Sequence, residues 1–202
     1  MNRQSMKATL LRYIEDPMAA TLSKFGITPN TVTMCGLAIT VVSAVFISLG
    51  QLWLGGVLLL IGSLFDLIDG SLARKLGQDS KFGALLDSVV DRLSETVILL
   101  GLLIFYIGES SNIAEILVYV AVSGSLMVSY LRARSEGLGI ECSSGIMTRP
   151  ERVIVMSAGL IVGEWISVAT VISVGIIGFF TIVTTFQRLL TARSKLRSSK
   201  GL

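Results

Sequence analysis

Four aspartates in one short stretch of the chain have the residue type and the spacing to do chemistry. The stretch DLIDGSLARKLGQDSKFGALLDSVVD contains Asp66, Asp69, Asp87 and Asp91, which lie at the facing ends of two apolar runs. Carboxylates at membrane depth are expensive, and those that occur there commonly take up protons or bind cations. Four oxygen donors on two helices suit one or two hard divalent ions such as Mg²⁺. Two ions held there could clamp a phosphoryl centre during in-line displacement.

The spacing of the aspartates predicts two helix faces that meet. Residues three or four apart are neighbours on an α-helix, so one face of the first helix carries five residues: Asp66, Asp69, Gly70, Ala73 and Arg74. On the second helix, Gly83, Asp87 and Asp91 recur at every fourth position. The short turn between the helices requires an antiparallel pair, which brings both acidic faces to one end of a bundle. The structural alternative is that the aspartates cap helix ends or form ion pairs with Arg74 and Arg92.

The complete pattern resembles the signature of the CDP-alcohol phosphatidyltransferase family. From residue 66 to residue 91 the chain reads DxxDGxxAR, then eight further residues, then GxxxDxxxD, with eight fixed residues at fixed spacing. Members of this family bind a CDP-linked lipid, let an alcohol hydroxyl attack the lipid-side phosphate, and release CMP. The resemblance therefore implies a phospholipid-synthesising transferase that depends on Mg²⁺, with Mn²⁺ as the alternative ion.

The resemblance also implies a role for each residue of the pattern. Asp66, Asp69, Asp87 and Asp91 would bind the metal, and Asp91 would in addition be the catalytic base that deprotonates the attacking hydroxyl. Proton abstraction from an alcohol near neutral pH needs such a positioned base. Seven residues would line the CDP-lipid site: Pro29, Asn30, Thr31, Val32, Gly70, Arg74 and Ser80.

Arginines further along the chain predict an acceptor site. The segment SYLRARSEGLGIECSSGIMTRPER, residues 129–152, and the end of the last apolar run place basic side chains at the same end as the aspartates. Arginine binds phosphate through a planar fork, so the cluster favours a phosphorylated acceptor over a neutral polyol or an amino alcohol. Four arginines are predicted to bind the acceptor phosphate: Arg132, Arg149, Arg152 and Arg188. The alternative for each is that it only anchors the chain at the membrane surface.

The same segment is similar to the SYxxARxE and RPER pattern of the family branch that uses inositol phosphate, although lysine is common there in place of Arg132. The resemblance implies CDP-diacylglycerol and inositol phosphate as substrates, with phosphatidylinositol phosphate and CMP as products. Family members that use glycerol 3-phosphate, the phosphatidylglycerophosphate synthases, typically carry Asp-Pro and Asp-Lys where this chain has Asp87-Ser88 and Asp91-Arg92. Glycerol 3-phosphate is therefore the alternative acceptor. An archaeal archaetidylinositol phosphate synthase, which uses an ether-linked CDP-lipid, is an alternative that these residues do not separate.

A divalent-cation transporter is the alternative from a different functional class. Transport sites usually lie near the bilayer midplane, on broken helices of inverted repeats. In this chain the aspartates cluster at one face, no repeat is found, and Arg74 beside them would repel a cation. The pattern therefore favours an enzyme.

Apolar runs predict an all-α integral membrane protein with six transmembrane helices. A spanning helix needs about 20 apolar residues, and six runs approach that length: 31–50, 52–68, 84–107, 113–131, 153–164 and 166–187. Residues 5–25 carry apolar side chains at loose helical spacing with basic residues between them, which indicates an amphipathic helix in the membrane interface. We therefore expect an interfacial segment at 1–27, a six-helix membrane domain at 28–190 and a basic tail at 191–202.

The basic residues predict the orientation of these spans. All 17 Lys and Arg fall at one end of the predicted bundle, and the connections near Gly50, Glu109 and Glu164 hold none. The positive-inside rule then places both termini and the aspartates on the cytoplasmic side of the cell membrane. A net charge of +3 on that face favours lipid headgroups and phosphorylated substrates over nucleic acid, and the lack of histidine excludes a histidine-based site. The family resemblance implies a homodimer.

Overall fold

The structure, a computed structural model, describes residues 27–77, 80–142 and 144–199 of the 202-residue chain. Within these ranges the regular secondary structure is six α-helices, which agrees with the all-helical prediction. Their bounds in chain order are α1 Pro29–Ser48, α2 Leu52–Leu76, α3 Lys81–Gly108, α4 Asn112–Glu136, α5 Arg149–Gly163 and α6 Ser167–Ser199. The predicted amphipathic helix at 5–25 lies outside the described residues.

Short polar signals define the helix ends around the acidic stretch. The Thr28 hydroxyl accepts a hydrogen bond from the first turn of α1, where Pro29 occupies a position that needs no backbone donor. Helix α2 ends at Gly77, whose φ of 62° is the left-handed conformation that glycine adopts without strain. Ser80 then caps α3 by accepting a hydrogen bond from Gly83 N at 2.9 Å. The chain therefore reverses sharply, and the end of α2 lies beside the start of α3.

Four of the six helices are long and apolar enough to cross a membrane: Pro29–Ser48, Leu52–Leu76, Asn112–Glu136 and Ser167–Arg197. The other two differ for separate reasons. Helix α3 carries two aspartates, an arginine and a glutamate within its first 15 residues. Helix α5 has 15 residues, which at 1.5 Å per residue is about 22 Å, short of a hydrocarbon core of about 30 Å. The chain is thus a helical membrane protein, and the count of six spans stays a prediction.

The helices pack around an aliphatic core that positions the acidic stretch. Helix α1 contacts α2 and α3, while α6 contacts α4 and α5; the contacts between α2 and α5 and between α3 and α4 complete the bundle. Residues from four of these helices are almost inaccessible to solvent in that core: Ile47, Leu99, Leu102, Leu160 and Ile177. Leu52 and Leu59 of α2 belong to the same buried cluster, so this core joins α2, α3 and α5, the helices that carry the aspartates, Arg149 and Arg152.

The functional residues converge at one end of the bundle. Because short turns join antiparallel neighbours, the connections at 49–51, 109–111 and 164–166 lie at what we call the opposite end. The connections at 77–80 and 137–148 lie at the other end, together with the start of α1. We call this the site end, and both the aspartates and the predicted acceptor arginines lie near it.

Candidate active site

A cavity of about 470 Å³, the first cavity, lies where the start of α1, the end of α2 and the start of α3 meet. Three of the aspartates line it: Asp66, Asp69 and Asp87. Five of the seven residues predicted to contact a CDP-lipid also line it: Pro29, Asn30, Gly70, Arg74 and Ser80. The two acidic helix faces therefore meet as the spacing predicts, and Arg74 supplies a cation beside them.

Thr31 and Val32, which were predicted for the same site, lie outside the wall of this cavity. Val32 is buried against Ile68 and Leu72 and belongs to the packing between α1 and α2. The Thr31 hydroxyl lies 2.8 Å from that of Thr28 and forms part of the start of α1. Both residues thus help to position α1, on which the first cavity depends.

Thr33 is a residue of the first cavity that the sequence reasoning missed. Its hydroxyl donates a hydrogen bond to Asp69 Oδ2 at 2.5 Å, and both side chains are buried. A signal was present, because Thr33 follows Pro29 by four residues and Asn30 by three and therefore shares their helix face. This hydrogen bond fixes the orientation of one predicted metal ligand.

A second cavity, of about 180 Å³, adjoins α3 and is lined by residues of α3, α4, α5 and α6. Asp87 lines both cavities, and Asp91 lines the second. All four arginines predicted for the acceptor phosphate reach its wall: Arg132, Arg149, Arg152 and Arg188. The structure therefore brings together basic residues that are up to 56 positions apart beside the two aspartates of α3.

Arg149 links the acidic residues of two helices. Its Nη2 lies 2.5 Å from Asp66 Oδ2, and its Nη1 lies 2.8 Å from Asp91 Oδ1. The first contact is a hydrogen-bonded ion pair, whereas the second has the distance of an ion pair without the angle of a hydrogen bond, so Asp91 Oδ1 is buried with no hydrogen-bond donor. Arg149 comes from the first turn of α5, and no local pattern around Asp66 could have indicated this contact.

The other three arginines of the second cavity differ in how firmly they are held. Arg152 is buried and pairs with Glu95 of α3. Arg188 is buried too, and it donates hydrogen bonds to Val128 O at 2.6 Å and Ser144 O at 2.9 Å. Arg132 pairs with Glu136 one turn along α4, where both side chains are about half exposed. Arg152 and Arg188 are thus buried in the wall, whereas Arg132 is about half exposed.

The donor set fits a hard divalent cation. Asp66, Asp69 and Asp87 lie close enough for their charges to act on one another, and the buried Asp91 Oδ1 lacks a donor, as a metal ligand does. Across the described ranges, no three histidine, cysteine, aspartate or glutamate side chains lie close enough together to hold an ion. The Arg149 guanidinium contacts Asp66 and Asp91.

Two adjoining cavities that share one carboxylate are suited to a transfer between two substrates. The first cavity offers carboxylates and Arg74 to a ligand that carries phosphate. The second offers the four predicted arginines and Arg92 to an anion, and Asp91 as a proton acceptor. Because Asp87 lines both, a group held in the first cavity and a hydroxyl held in the second would meet near that residue.

The chain resembles known sequences of one family. The model of the CDP-alcohol phosphatidyltransferase family matches residues 26–187. The chain is 32% identical over 185 residues to the phosphatidylinositol phosphate synthase of Mycobacteroides abscessus, and the alignment covers 90% of this chain and 84% of that protein. It is also 32% identical over 193 residues to the archaetidylinositol phosphate synthase of Methanothermobacter thermautotrophicus, which covers 93% of each.

Solved structures show the same likeness. The crystal structure of Mycobacterium tuberculosis phosphatidylinositol phosphate synthase with CDP-DAG bound gives a TM-score of 0.83 at 30% identity, and the match covers 89% of this chain and 94% of that one. The structure of that protein in complex with manganese and citrate gives a TM-score of 0.81 at 31% identity and covers 87% of both chains. The matched region of the family model includes all four aspartates.

Proposed function

Because the chain belongs to the CDP-alcohol phosphatidyltransferase family, we propose that it transfers the phosphatidyl group of CDP-diacylglycerol to a hydroxyl of inositol phosphate. The products would be phosphatidylinositol phosphate and CMP. The observation that carries this proposal is the second cavity, where four arginines converge beside Asp87 and Asp91. Relatives named for inositol phosphate acceptors, both bacterial and archaeal, support the same acceptor.

The charge of the second cavity favours a phosphorylated acceptor. A phosphate monoester presents several oxygens to planar guanidinium forks, and such charge-assisted hydrogen bonds are about twice as strong as neutral ones. Five arginines line that cavity, the four predicted ones and Arg92 of α3, together with three carboxylates of α3: Asp87, Asp91 and Glu95. Arg132, Arg149 and Arg152 are in ion pairs with carboxylates, but a guanidinium has five N–H groups and can donate to a phosphate as well. A neutral acceptor such as free inositol would not form these charge-assisted hydrogen bonds.

The first cavity would hold the CDP-lipid. Arg74 is suited to the pyrophosphate because its guanidinium can donate to two oxygens at once. Gly70 leaves room beside it: the nearest neighbour that a Cβ there would meet is Arg74 Nη1, at 3.6 Å. Pro29 and Asn30 at the start of α1, and Ser80 at the start of α3, would line the remainder of the nucleotide site. The diacylglycerol chains would extend into the surrounding lipid.

We propose Mg²⁺ as the cofactor, bound by Asp66, Asp69, Asp87 and Asp91. When bound it would neutralise phosphate charge and make the acceptor hydroxyl easier to ionise. A solved relative contains manganese, which supports a divalent ion at this site and leaves Mn²⁺ as the alternative.

The chain's own residues would take part in the reaction in the following steps. Arginines of the second cavity bind the acceptor phosphate and present one hydroxyl to Asp91, which accepts its proton. The hydroxyl oxygen then forms a bond to the lipid-side phosphorus, while the bond from that phosphorus to the bridging oxygen breaks. CMP leaves with the bonding electrons, and Arg74 balances its charge. Asp91 is well placed for the proton because it lies in the wall of the second cavity.

A headgroup panel tests the proposal. Purified protein is incubated with CDP-diacylglycerol, Mg²⁺ and one of five acceptors, namely inositol phosphate, glycerol 3-phosphate, inositol, serine or glycerol, and CMP release is measured. We expect the highest kcat/KM with inositol phosphate and no release in the presence of EDTA. Preference for glycerol 3-phosphate would assign the alternative acceptor, and equal use of inositol and inositol phosphate would overturn the phosphate pocket. A parallel series with an ether-linked CDP-lipid decides between the bacterial and archaeal lipid types.

A further inference from the structure

Glu95 occupies an unexpected place for a carboxylate, in the wall of a cavity that is proposed to bind an anion. It follows Asp91 by one helical turn on α3, and both of its oxygens contact the same arginine. Oε1 accepts from Arg152 Nε, and Oε2 accepts from Arg152 Nη2 at 2.8 Å. The pair joins α3 to the first turn of α5 across 57 positions of sequence.

Burial constrains the geometry of this ion pair. Arg152 is only 4% exposed, and the Glu95 side chain is 19% exposed. A two-pronged contact between a guanidinium and a carboxylate fixes both the position and the plane of the arginine. Breaking a buried pair on one side leaves an uncompensated charge, so neither partner is free to leave the other.

The remaining donors of Arg152 can be counted. A guanidinium has five N–H groups, of which two are donated to Glu95 and one, on Nη1, to Met147 O at 3.2 Å. One N–H on each terminal nitrogen is therefore left for other acceptors. Because Arg152 lines the second cavity, these two donors are available to a ligand there, and Glu95 determines the direction in which they point.

Arg132, in the same cavity, forms an exposed ion pair and not a buried one. It lines the same cavity and also pairs with a glutamate, Glu136, at 2.9 Å. That pair lies within one helix, and its side chains are 55% and 49% exposed. Exposed pairs of this kind contribute little, because water screens the charges and two long side chains must be ordered. Glu95 and Glu136 thus form a matched comparison of a buried ion pair with an exposed one.

We propose that Glu95 is a positioning residue of the acceptor site, which holds the Arg152 guanidinium so that its two free N–H groups meet the acceptor phosphate. This inference rests on the proposed function and extends it to a residue outside the family pattern described above. Glu95 acts through Arg152 and does not itself touch the substrates. Its removal should therefore weaken acceptor binding and leave the CDP-lipid site and the chemical step nearly unchanged.

The test compares Glu95→Gln, Glu95→Asp and the control Glu136→Gln in steady-state CMP release. For Glu95→Gln we expect KM for inositol phosphate to rise roughly 10- to 100-fold, by analogy with the loss of partners that orient metal-binding side chains. KM for CDP-diacylglycerol and kcat should stay within about twofold. Glu95→Asp keeps the charge on a shorter stem and should recover part of the loss, and Glu136→Gln should change each constant by less than about twofold.

A double-mutant cycle separates positioning from general destabilisation. In an Arg152→Gln background, adding Glu95→Gln should raise KM for inositol phosphate no further, since residues that act as a unit are not additive. Three results would overturn the inference: additive increases in KM for inositol phosphate in the double mutant, an unchanged KM for inositol phosphate in Glu95→Gln, or an equal loss of kcat/KM for both substrates. Should Glu95→Gln not fold, the same KM and kcat pattern is required of Glu95→Asp. If the wild type prefers another phosphorylated acceptor, the proposed function fails, but the same cycle run with that acceptor still decides the role of Glu95. If the wild type prefers an unphosphorylated acceptor, both the proposed function and the role of Glu95 are refuted.

Discussion

At the scale of single residues, Asp91 differs from the other three aspartates in what surrounds it. It lines the second cavity and not the first, whereas Asp66 and Asp69 line the first cavity and Asp87 lines both. A carboxylate in the wall of the acceptor cavity can accept a proton from the acceptor hydroxyl. This position is the structural reason for separating its role from those of Asp66, Asp69 and Asp87.

Replacing Asp91 with Asn should therefore lower turnover far more than it lowers CDP-lipid binding. Asn keeps the shape of the side chain but does not accept a proton near neutral pH, and loss of a general base typically costs 10²–10⁴-fold in rate. Turnover is measured as CMP release, and CDP-diacylglycerol binding by calorimetry in detergent without acceptor. A large loss of CDP-lipid affinity with turnover retained would instead make Asp91 a metal ligand alone.

Thr33 supports a second prediction at this scale. In Thr33→Val the shape is nearly kept, but Asp69 Oδ2 loses the donor now 2.5 Å away. Loss of such a partner from a proposed metal ligand should raise the Mg²⁺ concentration for half-maximal activity roughly 10- to 100-fold. It should also lower the free energy of unfolding by about 1–3 kcal/mol, because a buried acceptor is left without its donor.

The matched control for Thr33→Val is Thr185→Val on α6. The Thr185 hydroxyl donates only to Thr181 O, within its own helix, at 2.9 Å. This substitution should leave the Mg²⁺ dependence unchanged. An equal shift in both variants would show that the effect of Thr33 comes from lost packing or stability and not from Asp69.

Residues that lie on one helix were predictable from spacing, and contacts between distant helices were not. The shared face of Asp66, Asp69 and Arg74 follows from residues three and four apart, and the structure places all three on the first cavity. The contact of Arg149 with Asp66 joins residues 83 positions apart and depends on how α5 packs against α2. The sequence could therefore predict that arginines lie near the aspartates, but not which arginine pairs with which carboxylate.

At the scale of helices, hydropathy located the elements, but the apolar runs end before the helices do at the site end. The predicted runs stop at 68, 131 and 187, whereas α2, α4 and α6 continue to Leu76, Glu136 and Ser199. The added turns carry charged residues. Such residues lower the hydropathy of the sequence, but they do not end a helix. These polar extensions carry Asp69 and Arg74 on α2 and Arg188 on α6. The turns that hydropathy excluded therefore hold several site residues, while Asp66, Asp87 and Asp91 lie within the predicted runs.

Close approach of α1 and α3 depends on a glycine. A Cβ on Gly101 would lie 3.0 Å from both the Cα and the carbonyl carbon of Ala44, and closer still to its carbonyl oxygen. Backbone atoms cannot rotate away as a side chain can, so α3 would have to shift. Small residues serve this purpose at helix contacts in membranes.

Gly101→Ala should therefore destabilise the bundle by about 1–3 kcal/mol, the usual cost of overpacking. Gly108 is the control on the same helix, because a Cβ there would meet no atom within 4 Å. Gly108→Ala should be neutral or slightly stabilising, since alanine loses less entropy in a helix. Thermal unfolding in detergent measures both variants. A Gly101→Ala protein as stable as the wild type would show that α1 and α3 are less tightly packed than the structure describes.

At the scale of the whole molecule, charge and chemistry share one end of the bundle. The connections at the opposite end contain Glu109 and Glu164 and no basic residue, while the site end carries the arginines of the second cavity. This asymmetry predicts a cytoplasmic active site. Such a placement suits the proposed reaction, because nucleotide-linked lipids and phosphorylated sugars are made inside the cell. The homodimer implied by the family resemblance stays a prediction, since a single chain carries no interface to describe.

Cysteine labelling tests this orientation. In a background with Cys35→Ala and Cys142→Ala, one new cysteine is placed at Glu109 in the turn of the opposite end, or at Leu138 in the connection after α4. Both positions are exposed in the isolated chain. The positive-inside rule predicts that a membrane-impermeant maleimide labels Glu109→Cys in intact cells and Leu138→Cys only after permeabilisation. CMP release by each variant verifies that the labelled protein is folded. The reverse labelling pattern would place the arginines and aspartates outside the cell and would overturn the predicted orientation.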